Sequence, residues 1–256
     1  MDLLHFLTQR LRFIQNLYDS AIRPFEETKR QIDAGEAPYV DESDPKDYDG
    51  EPRFLAEWQA AEDAIMVVGH WCLCMVQATL QTYLRDCVSP LGVLWWDSSE
   101  LKTQLSQKRG NWFERYRLLF LDDLYIDWNT GPVPLADLEQ LNLTRDDLIH
   151  NIDMGTFSVE RVDKHAERFP TGLFIDDLWR GSVVERVRIE KDKLALAIRL
   201  VTEFCTWLDS IRCEYPRYVD AMLAGEPWTP RADDPVASSG VPVVPVGQPP
   251  LIKQSL

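Results

Sequence analysis

The 256-residue sequence predicts an all-α fold. Long segments carry apolar residues at helical spacing, no segment shows the alternating pattern of a half-buried strand, and glycine and proline cluster between these segments. Because 45% of the residues are hydrophobic and 11% are aromatic, the chain can bury a sizeable core and is not globally disordered. We therefore expect a bundle of long antiparallel helices.

The first predicted helix covers residues 4–25, and Pro24 is expected to weaken its end because proline lacks the backbone N–H. Residues 35–52 hold three prolines and many carboxylates, which predicts an exposed acidic loop. In the first predicted helix the apolar residues recur at alternating intervals of three and four residues and form one seam: Leu4, Leu7, Leu11, Ile14, Tyr18, Ala21 and Phe25.

The second predicted helix covers about residues 54–88 and ends at Ser89-Pro90-Leu91-Gly92. Apolar residues lie on almost every face of it, a pattern typical of a central, buried helix. Its most apolar run, residues 64–76, is shorter than the roughly 18 residues that would span a bilayer. We expect this run to lie in the core.

Further helices are predicted over residues 111–122, 135–153 and 187–215, with a turn over 127–134. Between them, residues 166–184 contain Pro170, Gly172 and Gly181 among apolar residues, which is compatible with either a short hairpin or an irregular loop. The sequence thus predicts one helical domain over residues 1–228.

Residues 229–256 are rich in proline, valine and serine and are expected to form a flexible tail.

Charge and cysteine content exclude several functional classes. A net charge of −15 argues against a large sequence-independent DNA-binding surface and against binding to anionic membranes. The five cysteines include no CxxC pair and no Cys/His metal spacing, which favours buried, reduced thiols. The first residues lack a basic segment followed by an apolar one. We expect a cytoplasmic protein without a metal or cofactor.

A short motif carries the functional signal. Arg145 and His150 are separated by four residues, Asp146 follows the arginine directly, Asn151 follows the histidine, and Gly155 comes soon after. This run resembles the Arg-x4–6-His signature of the HEPN superfamily. The order of the predicted helices is similar to that family over about residues 1–215.

The resemblance implies a metal-independent endoribonuclease, toxin-like or defence-type, whose site forms where two copies of the chain meet. His150 would then be the acid–base residue and Arg145 would hold the phosphate, with Asp146 and Asn151 in supporting positions. An imidazole titrates near neutral pH, and a forked guanidinium matches a phosphate. An antitoxin or regulatory protein is a further expected partner.

Two other interpretations remain open: a non-catalytic HEPN-type module that binds a nucleotide, a nucleic acid or a protein, and an unrelated helical scaffold. Residues five apart on a helix point about 140° away from each other, so Arg145 and His150 would not share one face. Thr144 and Asp147 have the spacing of a capping box, which would place Arg145 at the start of its helix. A site composed from two copies would also ease this geometry.

Other polar residues give weaker signals. His70 interrupts an apolar helix and is expected to be a core or interface histidine, and His165 is expected in a small solvated cluster with Arg161, Lys164 and Arg168. One cationic patch contains aromatic rings that would suit RNA bases, although an ordinary amphipathic helix has the same pattern. Its residues are Lys108, Arg109, Arg115 and Arg117, interleaved with Trp112 and Tyr116.

Overall fold

The computed structural model of the chain describes residues 2–40, 52–88, 103, 105–152, 157–176 and 185–225. Over these residues the protein is predominantly helical and carries a single two-stranded sheet, so the all-α prediction is confirmed. The predicted tail over 229–256 lies outside the described residues. The elements in chain order are α1 (Leu3–Ala34), α2 (Leu55–Val88), α3 (Trp112–Asp122), a 3-10 turn (Trp128–Thr130), α4 (Leu135–His150), β1 (Val159–Glu160), α5 (Asp163–Arg168), β2 (Arg186–Val187), α6 (Lys191–Cys213) and α7 (Tyr215–Ala224).

Helix α1 buries four residues of the predicted seam, Leu7, Leu11, Ile14 and Tyr18, and half-buries the other three. It does not weaken at Pro24 but continues for ten residues beyond it, to Ala34. Pro24 is exposed, so the carbonyl that loses its N–H partner can be hydrated, and the helix tolerates the missing bond.

Gly35 ends α1 in the left-handed region, with φ of 61°. The N–H of Glu36 donates to the carbonyl of Gln31 at 2.9 Å, which closes the helix with the bond of a Schellman motif. Most of the residues from Gly35 to Tyr39 are exposed, as predicted for the start of the acidic loop. Residues 41–51 of that loop lie outside the described part of the chain.

Helix α2 has the predicted bounds but is not buried on all sides. Leu73 and Val76 are fully buried, whereas Trp71 is 67% exposed. Of the described helices, α2 is long and apolar enough to cross a membrane by length and composition, and 44% of its most apolar window is buried. Core helices of other proteins pass the same test, so this finding has little weight.

The chain divides into two compact units. The first comprises residues 1–10, 78–139 and 199–256. Its core centres on the indole of Trp128, whose ring centroid lies 5.4 Å from that of Phe113, 5.3 Å from that of Phe120 and 5.1 Å from that of Phe204. These aromatic contacts join the 3-10 turn to helices α3 and α6.

The second unit comprises residues 11–77 and 140–198. In it β1 and β2 pair antiparallel, with Val159 opposite Val187. The strands flank the region 166–184, where a hairpin or irregular loop was predicted, and do not lie within it. The described part of that region holds the end of α5 and turns as far as residue 176, and residues 177–184 lie outside the described set.

The cysteines are free thiols. Cys72, Cys87 and Cys205 are buried as predicted, and Cys74 is half-buried. Cys213 is exposed, which corrects the expectation of a fully buried set.

Candidate functional site

Both motif residues lie on α4, but Arg145 is not at its start. The helix begins at Leu135, after Pro134, whose carbonyl accepts the N–H of Asp137 at 2.9 Å. Thr144 is therefore an interior residue and the predicted capping box does not form. The physical reason is that the helix already begins after Pro134, about ten residues before Thr144.

Arg145 is engaged with its neighbour. Its Nη1 donates to Oδ1 of Asp146 at 2.9 Å, and each of the two side chains is 32% exposed. The charges of both residues also act on the thiol of Cys74 in α2, whose pKa is raised mainly by burial. The two charged side chains of α4 therefore act electrostatically on α2.

His150 is the last residue of α4 and is exposed. The apolar side chains near it in sequence are unusually open: Ile149 and Ile152 are each 43% exposed and Phe157 is 47% exposed. Exposed apolar side chains close together in the sequence are typical of a contact surface.

The two motif side chains do not meet within one chain. No hydrogen bond or ion pair joins Arg145 to His150 in the part of the chain that the structure describes. Their separation along α4 corresponds to a rotation of about 140°. A site that uses both groups on one phosphate therefore needs a second copy of the chain or a movement of Arg145.

Asn151 forms hydrogen bonds with Asp147, a residue with a buried carboxylate. Among the described residues, its side chain forms no hydrogen bond with His150. Its Nδ2 donates to Oδ1 of Asp147 at 3.2 Å, and its backbone N–H donates to the carbonyl of the same residue at 2.9 Å. Asp147 is 2% exposed. Asn151 thus continues the last turn of α4 through Asp147.

A pair of residues that the sequence did not reveal lies beneath the motif. Nδ1 of His165 is 3.0 Å from Oδ2 of Asp147, and the two residues are 8% and 2% exposed. The prediction that His165 belongs to a solvated cluster is therefore wrong. Burial raises the pKa of the Asp147 carboxyl, and the hydrogen bond and charge of His165 act in the opposite direction.

Arg161, expected in the same solvated cluster, is also buried. Its Nη1 donates to Oε2 of Glu185 at 2.7 Å, and the side chains of the pair are 6% and 12% exposed. Its Nη2 donates to the carbonyls of His165 at 2.9 Å and Phe169 at 2.6 Å. Lys164 and Arg168 are exposed, as predicted. Tertiary contacts therefore divide the four cationic or titratable residues into two buried and two exposed ones.

The cavity next to this pair is small. It is lined by α4, by Arg161 and His165, and by the segment Phe169–Ile175, and it has a volume of about 10 Å³. That volume accommodates about one water molecule. The cavity is therefore not a substrate pocket, and His165 has no room beside it for a nucleotide.

Most cations of the predicted RNA-contacting patch are already engaged inside the first unit. Lys108 pairs with Asp122 at 3.0 Å and Asp123 at 2.8 Å. Arg117 pairs with Glu114 at 2.6 Å.

Arg115 donates to the carbonyl of Gly110 at 2.9 Å, and Arg109 is exposed. Tyr116 is only 5% exposed, so its ring cannot stack on a base. The contacts favour the interpretation as an amphipathic helix.

A groove in the second unit has a volume of about 1100 Å³ and lies between α1, Glu62 and residues 188–191. Lys29 and Arg188 both bind the carboxylate of Glu62, and Arg30 pairs with Glu27 and Glu36, each at 2.7 Å. Cations and carboxylates alternate along its walls, so the groove does not favour a ligand of either charge. Over the described residues, no group of three histidine, cysteine or acidic side chains is arranged to hold a metal ion.

Comparison with protein-family models, with curated proteins and with solved structures finds no match for this chain.

Proposed function

We propose that the chain is a metal-independent endoribonuclease of HEPN type, toxin-like or defence-type, that cleaves RNA at a homodimer interface. The observation that carries the proposal is the exposed His150 at the end of α4, with exposed apolar residues next to it in the sequence and Arg145 on the same helix. A titrating group and a permanent cation in these positions suit cleavage of a phosphodiester without a metal.

In the proposed reaction the 2′-oxygen attacks phosphorus and the bond from phosphorus to the 5′-oxygen breaks. One copy of His150 accepts the 2′-hydroxyl proton, and the other copy, as imidazolium, gives a proton to the leaving 5′-oxygen. Arg145 binds the non-bridging oxygens, on which negative charge accumulates. The products are a 2′,3′-cyclic phosphate and a 5′-hydroxyl.

The ion pair between Arg145 and Asp146 is compatible with this role. Both side chains are about one-third exposed, and pairs at such positions contribute little stability. A phosphate can therefore replace the carboxylate at low cost. Until it arrives, Asp146 holds the guanidinium in a fixed orientation.

One side of α2 has the chemistry expected of a contact with a second copy. We call it the α2 face: Ala64, Val67, Trp71 and Cys74 of α2, which share one side of that helix and include no charge. Because each copy carries a net charge of −15, two copies repel each other except where an uncharged surface meets another. Trp71, 67% exposed, supplies the large aromatic anchor that interfaces favour.

We infer that the contact surface includes part of the motif. The charge of Arg145 acts on the Cys74 thiol of the α2 face, and Ile149, four residues after Arg145, adds an exposed apolar side chain on α4. In the proposed dimer the second copy covers the α2 face and also contacts Arg145 and the end of α4.

The decisive experiment is cleavage of a mixed RNA in EDTA by the purified protein and by two variants, His150→Ala and Arg145→Ala. The cleavage rate of each variant should be about 100- to 10,000-fold lower than that of the wild type. The circular dichroism spectrum should stay unchanged. His5→Ala, which removes an exposed histidine from α1, is the matched control and should cut normally. Cleavage that survives both motif variants would exclude the proposed site.

One observation favours a second function. Within one chain Arg145 pairs with Asp146, and no hydrogen bond or ion pair among the described residues joins it to His150, which suits a non-catalytic HEPN-type module that binds a nucleotide, a nucleic acid or a protein. In that case the wild type binds labelled RNA or a partner without cutting, and Arg145→Ala weakens binding.

A further inference from the structure

The last turn of α4 is held by a carboxylate with both oxygens in use. Oδ1 of Asp147 accepts from Nδ2 of Asn151 at 3.2 Å, and its Oδ2 lies 3.0 Å from Nδ1 of His165. The backbone carbonyl of Asp147 also accepts the N–H of Asn151 at 2.9 Å. Asp147 and Asn151 lie on either side of His150 in the chain, so the imidazole projects from a turn that is fixed at both ends.

The support for His165 is itself rigid. The carbonyl of His165 accepts from Nη2 of Arg161 at 2.9 Å, and the Arg161 guanidinium is paired with Glu185. The backbone N–H of Arg161 also donates to the carbonyl of Glu185 at 3.0 Å, next to the paired strands. His165 therefore joins the end of α4 to the strand pair of the second unit.

The direction of the hydrogen bond between His165 and Asp147 depends on the charge of the buried carboxylate. A buried carboxylate is costly unless donors surround it, and the burial of Asp147 raises its pKa while His165 opposes the rise. When the carboxylate is ionised, Nδ1 of His165 carries the proton and donates it. This fixes the tautomer and the orientation of the imidazole.

We propose that His165 is a positioning residue: acting through Asp147 and Asn151, it fixes the end of α4 and so the direction in which His150 reaches the scissile phosphate. This inference rests on the proposed ribonuclease function. His165 itself touches no substrate, because the cavity beside it has room for about one water. Its effect on catalysis is carried entirely by the placement of His150.

Two substitutions of similar size separate positioning from bulk packing. His165→Asn keeps an amide N–H near the position of Nδ1 and can still donate to Asp147, whereas His165→Gln moves its amide out towards the position of Nε2. We expect kcat to fall about 10- to 100-fold in the glutamine variant, with KM little changed, because a misplacement near 1 Å has effects of that size. The asparagine variant should recover most of the activity.

A second readout does not depend on activity. Amide hydrogen exchange, measured by mass spectrometry on the wild type and both variants, should become faster at residues 147–152 in His165→Gln and stay slow there in His165→Asn. Peptides from α1 are the internal reference and should not change. Asn151→Ala removes only one link of the network and serves if the glutamine variant does not fold. It should give the same local loosening and a smaller loss of kcat.

The outcomes separate this inference from the proposed function. Unchanged exchange at residues 147–152 in both His165→Gln and Asn151→Ala overturns the positioning role, whatever the activity. Faster exchange with a normal kcat also overturns it, since the placement of His150 would then not matter. Wild type that cuts no RNA overturns the proposed function and the catalytic half of this inference together, and the exchange data still decide whether His165 holds the end of α4.

Discussion

The two faces of helix α2 have similar apolar composition and opposite environments. On one face Gly69, His70 and Leu73 are buried, and Gly69 lies so close to another segment that a Cβ there would be 2.1 Å from the carbonyl oxygen of Ile189. On the α2 face Trp71 is 67% exposed. Neighbouring residues of one helix thus differ from complete burial to wide exposure.

An apolar pattern on all sides of a helix therefore does not by itself predict burial within one chain. Apolar residues on all faces predict a helix at the centre of a single chain, but hydrophobicity does not say which molecule covers each face. In the second unit the chain covers the face that carries Gly69. An uncharged face with an open tryptophan is instead typical of a contact with another molecule.

The largest effect is expected from Gly69→Ala, on the buried face. The new methyl group would overlap a backbone carbonyl that no side-chain rotation can move away. We expect a loss of about 3 kcal/mol or more in the free energy of unfolding, measured as a shift of the urea midpoint. Ala60→Ser, at an exposed position of the same helix, should stay within about 0.5 kcal/mol. Equal midpoints for wild type and Gly69→Ala would show that the two segments do not touch.

The next effect concerns His70, whose pKa is lowered from 6.5 to about 4, mainly by burial and also by the charge of Arg188. Neither ring nitrogen of His70 forms a hydrogen bond of normal geometry with the described residues. The backbone of Val187 raises the pKa and so opposes part of the lowering by burial. Because the folded protein holds the imidazole neutral, His70 contributes stability above pH 6.5 that is lost as the pH falls towards 4.

The full difference of about 2.5 pH units corresponds to about 3 kcal/mol. Urea unfolding at pH 7 and at pH 4 should therefore show that wild type loses about this much more stability than His70→Leu, which cannot be protonated. Parallel losses in the two proteins would mean that the ring is hydrated in the folded state.

Sequence reasoning succeeded where a structure is decided locally. The seam of α1 follows from residues three and four apart, and the bounds of α2 and α3 follow from similar periodicity. The expectation for Pro24 failed because it ignored solvent, which hydrates the free carbonyl. The expected cap at Thr144 failed because an earlier start signal at Pro134 already governed α4.

The candidate site divides in the same way. Arg145 and His150 were found because they lie in one short motif. The contact between Asp147 and His165 was missed because the residues are 18 apart on separate helices, and only packing of the second unit brings them together. No local pattern distinguishes the buried Arg161 from the exposed Arg168. Burial of Arg161 depends on Glu185 and on two backbone carbonyls.

The smallest effect on the stability of a single chain is expected from Trp71→Glu, on the α2 face. The side chain is 67% exposed, so the change should alter the unfolding free energy of the monomer by no more than about 0.5 kcal/mol. Its effect on association should be large, because a carboxylate would enter an uncharged contact between two copies that already repel each other. Sedimentation velocity should show dimers for wild type and monomers for the variant.

Gln59→Glu provides the matched control, since it adds the same charge to an exposed position on another side of α2. It should leave the dimer intact. A wild type that sediments as a monomer, or a Trp71→Glu variant that stays dimeric, would remove the α2 face from the proposed interface. If Trp71→Glu becomes monomeric and also stops cutting RNA while His150 and Arg145 are intact, the two copies must contribute to one site. Loss of dimers with full activity would instead place the whole site within one chain and require Arg145 to leave Asp146 and move towards His150.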